Sequence, residues 1–151
     1  MPVAIPAAQK GEKSMSTPSL IGKLNPDGTV TSIYCHWDGH PWSTGNTLAT
    51  HYTTEAKINA LLALGNLSAL NEEIGEKHDF GRHFEEHKNW CLAYGRDRED
   101  PEDQSAWTDV NREDLVLTMG ESGAKYVYLW DSAGWLCSDG GAWGRMRAEV
   151  A

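Results

Sequence analysis

Eleven residues constrain this chain more than any other stretch: Ser32-Ile33-Tyr34-Cys35-His36-Trp37-Asp38-Gly39-His40-Pro41-Trp42. β-Formers and large rings alternate with polar groups, then the run breaks at Gly39 and Pro41. A strand sends successive side chains to opposite faces. Ile33, Cys35 and Trp37 are therefore expected on the core face. Tyr34, His36 and Asp38 fall on the other, which meets water, a covering element or a ligand. Upstream, Ser19 to Asn25 reads as a partner strand. The intervening Pro26-Asp27-Gly28 is a turn, since Pro presets φ and Gly accepts a positive one.

The rest of the chain supplies a frame. Residues 1–17 lack hydrophobic period and are expected as a flexible tail, leaving 18–151 as a single domain. Ser43 or Thr44 is placed to cap a short helix through Tyr52. Thr53 or Thr54 opens a better one over Glu55 to Leu64, with Ile58, Leu61, Leu62 and Leu64 as its apolar stripe and Gly65 beyond its end. Leu67 to Ile74 reads as a short turn or helix, and Glu76 to Asn89 as a charged, histidine-rich segment. Trp90 to Tyr94 returns to strand character, followed by the charged loop Arg96 to Asp103. Asn111 caps a helix through Met119, with Leu115, Val116 and Leu117 apolar. Tyr126 to Trp130 and Trp135 to Cys137 form a hairpin. Strands at both ends with helices between them predict an α+β fold: a mainly antiparallel sheet of about five strands with two or three short helices packed on it.

Charge and composition narrow the partners. A net charge of −9 argues against binding a nucleic-acid backbone, which needs a basic surface. The three cysteines, Cys35, Cys91 and Cys137, are odd in number and lie in apolar runs. They read as buried free thiols of a reducing cytoplasm rather than as a disulfide framework. No apolar run approaches the roughly 18 residues of a membrane span. Val3 to Ala8 has neither a basic flank nor a long apolar core, so no secretory leader is expected there.

Three constellations bear chemistry. If the strand at Trp90 runs on through Gly95 beside the Tyr34 strand, one sheet face presents Tyr34, His36, Asp38, Tyr94, Arg96 and Arg98. Arginine grips phosphate or carboxylate bidentately, and aromatic rings stack bases, so the set suits a small anionic nucleotide-like ligand. The competing reading is a solvated face with Arg96 and Arg98 paired to Asp97, Glu99 or Asp100. His83, His87 and Cys91 stand at i, i+4 and i+8. On one helix they would form a stripe of zinc ligands, although no C-x-x-C or H-E-x-x-H accompanies them. His36 and Asp38, two apart, could serve as acid and base of a metal-dependent hydrolase. No nucleophile elbow, Walker loop or dinucleotide fingerprint is present. Neither catalytic residues nor a cofactor are therefore expected. Trp42, Trp107 and Trp143 are expected in loops, where large rings anchor a protein partner or a homo-oligomer.

The motifs Thr31 to Gly39 (T-S-I-Y-C-H-W-D-G), Leu48 to Tyr52, Ala93 to Arg98 (A-Y-G-R-D-R) and Tyr126 to Trp130 (Y-V-Y-L-W), in that order, resemble a family of small uncharacterised proteins encoded by phages and prophages. The likeness spans about residues 19–137. It implies an accessory role on a mobile element, acting in the bacterial host cytoplasm. Proteins of that kind often counter host defences, by sequestering a nucleotide signal or by blocking a defence protein. A purely structural accessory role is the alternative.

Overall fold

The computed structural model describes residues 16–82 and 84–146. Residues 1–15 of the expected tail lie outside the described residues. Thr17 is tied to the sheet: its carbonyl accepts the Gly39 N–H at 2.7 Å, and its Oγ1 lies 3.2 Å from His40 Nε2.

The fold is α+β, with three α-helices and a mixed, mainly antiparallel sheet of eight strands. β1 (Ser19–Leu24) and β2 (Val30–Cys35) form the hairpin that the turn residues predict, in register from Ser19↔Cys35 to Leu24↔Val30. Asp27 holds the turn: its Oδ1 accepts the Thr29 N–H at 3.0 Å and the Thr29 hydroxyl at 2.6 Å. β6 (Tyr126–Trp130) runs parallel to β1 and turns back into β7 (Trp135–Ser138), with β8 (Gly144–Arg145) beyond it.

The other edge of β2 is shared. β5 (Trp107–Asp109) pairs antiparallel with its first half, and β3 (Leu67–Ala69) pairs parallel at Cys35. β4 (Leu92–Ala93) completes that side by pairing with β3. Four of the eight strands have only two or three residues. Such strands are too short to show a two-residue period, which is why the sequence suggests about five. For the same reason Leu67–Ala69 is a strand rather than a turn or helix, and Trp107 sits in the sheet rather than in a loop.

Helices cover the two faces unequally. Behind a π-helical turn at Pro41–Gly45, α1 (Asn46–His51) and α2 (Glu55–Ala63) pack on one face. Thr54 caps α2 by accepting the Lys57 N–H at 3.3 Å. Thr44 caps nothing. Its hydroxyl donates instead to the Asp38 carbonyl at 2.7 Å. Ile21, Ile33, Cys35, Leu48, Tyr52, Ile58, Leu61, Leu67 and Tyr128 form the solvent-free centre of this layer. α3 (Arg112–Ser122), capped by Asn111 Oδ1 at 2.9 Å from the Asp114 nitrogen, lies on the other face. It buries Leu115 and Met119 against Leu20, Val30, Val127 and Leu129. Leu117, expected on the apolar side of this helix, is 66% exposed. The i, i+4 spacing of Leu115 and Met119 sets the buried face, and Leu117 lies away from it. α3 packs on β1, β5 and β6, and Val30 and Tyr34 of β2 join the same apolar cluster, so the β3–β4 end of its face lies beyond this helix.

Candidate functional site

That end is where sequence reasoning places a site. β2 contributes Tyr34, half-buried, and His36 just past the strand end. Tyr94 follows β4 directly. The residue joining them is Asn66, which the sequence does not single out. Its side-chain Oδ1 accepts the Tyr34 N–H at 2.9 Å, and its own carbonyl accepts the Tyr94 N–H at 3.2 Å. Its Nδ2 donates to Gln104 Oε1 at 3.1 Å and its N–H to the Gln104 carbonyl at 2.7 Å. Asn66 fills the gap between β5 and β3 along β2 and fixes a row Tyr34–Asn66–Tyr94. With neighbouring strands about 4.8 Å apart, Tyr34 and Tyr94 stand about 10 Å from each other at the backbone. Gly65 makes this possible: its φ is +76°, and the Gln104 carbonyl occupies the place of a β-carbon. A side chain there would push the 104 segment away from Asn66.

Aromatic and basic groups extend the row. The Phe80 ring lies 5.7 Å from that of Tyr94, tilted by 34°. The Arg98 guanidinium covers both rings, 4.3 Å from the Tyr94 centroid and 5.2 Å from that of Phe80. The Tyr34 hydroxyl and His36 Nδ1 are 2.9 Å apart, and His36 meets the edge of Trp37 at 4.7 Å. Partial burial raises the Tyr34 phenol, and the nearby Tyr94 phenol adds to this. Desolvation lowers His36, so near neutral pH the pair is an uncharged phenol and imidazole.

Of the six residues expected on this face, Tyr34, His36, Tyr94 and Arg98 come together. Arg96 and Asp38 do not join them. The strand at Leu92 does not run on through Gly95: the Asp97 N–H donates to the Ala93 carbonyl at 3.0 Å and the Asp100 N–H to that of Tyr94 at 3.1 Å. The chain coils there, and strand alternation no longer applies. Arg96 turns inward. Its Nε lies 2.9 Å from Asp97 Oδ1, its Nη1 donates to the Ile74 carbonyl at 2.8 Å, and its Nη2 donates to the Cys91 carbonyl at 2.9 Å. Asp97 is fully buried and also accepts the N–H groups of Ala93 and His78, at 2.8 and 3.1 Å. Arg98 stays at the surface, paired with Asp100.

β2 likewise ends at Cys35. Asp38 is exposed in left-handed backbone, φ 59°, and Trp37 is 39% exposed instead of in the core. The acid–base pairing expected of His36 and Asp38 therefore has no shared strand face to stand on. Phe80 left no signal, because it lies in a charged run without periodicity.

The metal stripe is not formed. His83 lies outside the described residues. His87 ends a single 3₁₀ turn, Glu85–His87, and stacks on Trp90 at 4.4 Å. Cys91 is fully buried, 3.2 Å from the Tyr52 hydroxyl, and burial raises its thiol. Zinc binds the thiolate, which that environment disfavours. Among the described residues no three His, Cys, Asp or Glu side chains are grouped to hold a metal ion. Cys35 is buried as well, its thiol pushed up to about 12 by desolvation.

No helix among the described residues is long and apolar enough to cross a membrane. Comparison of the chain with family models, with curated proteins and with solved structures gives no match.

Proposed function

We propose that this is a non-catalytic binding protein of the phage accessory type, working against host defence in the bacterial cytoplasm by sequestering a small nucleotide signal. One observation carries the reading: Asn66 holds Tyr34 and Tyr94 in one row, with the Arg98 guanidinium lying across Tyr94 and Phe80. Stacking on such rings contributes about 1–3 kcal/mol per base. Arg98 supplies a fork for a phosphate. Its pair with Asp100 is exposed on the arginine side, and such pairs are worth about 0–1 kcal/mol, so an incoming phosphate displaces it at little cost. The uncharged Tyr34–His36 pair adds hydrogen-bonding groups that read the rest of the ligand. Calorimetry against cyclic and ADP-ribose-type nucleotides tests this, with the ligand recovered and analysed afterwards. Saturable heat and unchanged ligand are expected; no heat with any member of the panel ends the reading.

A second reading has its own observation. Trp42 is 67% exposed and stacks flat on His40 at 4.3 Å, a rigid ring presented to solvent. With the acidic segment Glu99, Glu102 and Asp103, it would serve to block a host defence protein. Asp97 has no part in that surface, being buried under Arg96. Reversing the three surface charges should abolish capture of the host target. Unchanged capture removes this reading.

A further inference from the structure

Beside the aromatic row, at the edge of the sheet, lies a cavity of about 50 Å³ that the function above does not use. Its walls carry His78, Arg82, His87 and Lys88, together with Asn71 and Trp90. In a chain of net charge −9, this gathering of basic side chains runs against the overall field. Its members are also poorly neutralised. Arg82 makes no ion pair among the described residues, and its guanidinium lies 5.8 Å from the Phe84 ring centroid. Among the described residues Lys88 pairs with Glu85 alone, both side chains being more than half exposed. His87 Nδ1 is buried and has no hydrogen-bond partner. His78 Nδ1 donates to the Glu76 carbonyl at 2.7 Å and lies 3.4 Å from Asp97 Oδ1, which leaves its Nε2 uncommitted. Asp97, the one carboxylate facing His78, is already shared among Arg96 and two backbone N–H groups.

The wall is rigid. Trp90 stacks on His87 and packs against Gly75, where a β-carbon would collide with the indole. The Asn71 Nδ2 anchors the same segment by donating to the Trp90 carbonyl at 2.9 Å.

We propose that this cavity is an oxyanion site for a phosphate group, separate from Arg98, and that it takes a phosphate of the ligand whose ring lies on Tyr94 and Phe80. Guanidinium, ammonium and imidazole together are the donors that phosphate oxygens accept from. The cavity is small, about 50 Å³. Two features join it to the aromatic row. Leu92, which lines the cavity, stands two residues before Tyr94 in the chain. His78 and Phe80 are also two residues apart, so their Cα atoms are at most about 7 Å apart. A single mononucleotide spans that separation.

The linkage to Tyr94 rests on the proposed nucleotide reading; the anion site itself does not. The full chain is titrated with inorganic phosphate, with adenosine and with AMP, against chloride at equal ionic strength. Heat and the imidazole nitrogen resonances of His78 and His87 are followed. Phosphate should shift both imidazoles where chloride does not. The exposed substitution R82Q, checked for folding by circular dichroism, should weaken phosphate about tenfold, the loss expected for one charge-assisted hydrogen bond. AMP should bind at least about tenfold more tightly than either fragment, since joining two fragments makes the second contact intramolecular. Phosphate that leaves the imidazoles unmoved, or that binds R82Q as well as the parent, overturns the anion site even where adenosine binds. Phosphate that binds while adenosine does not sustains the anion site and sinks the aromatic reading. Both fragments binding with no gain in AMP overturns the linkage.

Discussion

Arg96 and Arg98 stand two residues apart in a segment that reads as one charged run, and they do opposite things. Arg96 is drawn inward. Its three nitrogens are used by Asp97 and by two carbonyls, and it ties the 74–78 loop to the end of β4. Arg98 stays at the surface, held by a weak pair and by the faces of two rings. The difference lies in the carboxylate each meets. Asp97 is buried and accepts two backbone N–H groups, so its charge requires a cation beside it. Asp100 is 12% exposed and its partner Arg98 48%, so that pair is only partly desolvated. The lesson extends to the sheet as a whole: one face is sealed by α1 and α2 and carries stability, while the end of the other beyond α3 carries the groups proposed to bind.

Substitutions should separate these two regimes, and the largest effect belongs to the buried one. Asp97→Ala leaves the Arg96 charge without its carboxylate and removes the acceptor of two backbone N–H groups, and should cost about 3–5 kcal/mol. Chemical denaturation followed by tryptophan fluorescence measures this. Arg98→Gln in the same assay should stay within about 0.5 kcal/mol of the parent. Equal losses for the two would erase the contrast.

Asn66 sits at the boundary. Asn66→Ala leaves the Tyr34 N–H without its acceptor and should cost about 1–3 kcal/mol. Hydrogen exchange at the Tyr34 amide should accelerate more than exchange in β6. The same variant should lose nucleotide binding, because Tyr34 and Tyr94 no longer hold a common register. Retained binding would mean the row is not what positions the rings.

A smaller effect is expected from the rings themselves. Tyr94→Ala should weaken nucleotide binding about tenfold, in line with one lost stack. Its denaturation midpoint should remain near that of the parent. A large stability loss would instead assign Tyr94 to the core.

The smallest effect is that of pH on His36. Its folded-state value lies below the ordinary 6.5 because of desolvation. The unfolded chain therefore takes up the proton first. Its contribution to stability is complete above pH 6.5 and is lost as pH falls through the folded value. Binding of an anionic ligand should move the other way, tightening as the imidazole gains charge. His36→Gln should flatten both trends, and parallel trends for stability and binding would contradict the site.

Much of this was open to sequence reasoning where the pattern is long enough. The β1–β2 hairpin follows from Pro26-Asp27-Gly28 and the alternation around it. α2 follows from Thr54 and the Ile58–Leu61–Leu62 stripe, and the β6–β7 hairpin from two apolar runs. The orientation of Tyr34 to the face opposite Ile33 and Cys35 also follows, because a six-residue strand shows its period plainly. The expected zinc stripe assumed a helical period through Cys91, whereas the described residues 84–91 hold a single 3₁₀ turn, Glu85–His87.

What the sequence by itself determined, then, is the set of long elements and the outward face of β2. Hydrophobic period and turn chemistry are local properties, complete within a few residues. Only the tertiary structure decided that β3 and β5 divide one edge of β2, that Asn66 closes the gap between them, and that Phe80 comes back onto Tyr94. It alone decided which arginine Asp97 would claim. Those outcomes depend on which backbone groups are left without water once distant segments meet, a condition that does not exist until the chain has folded.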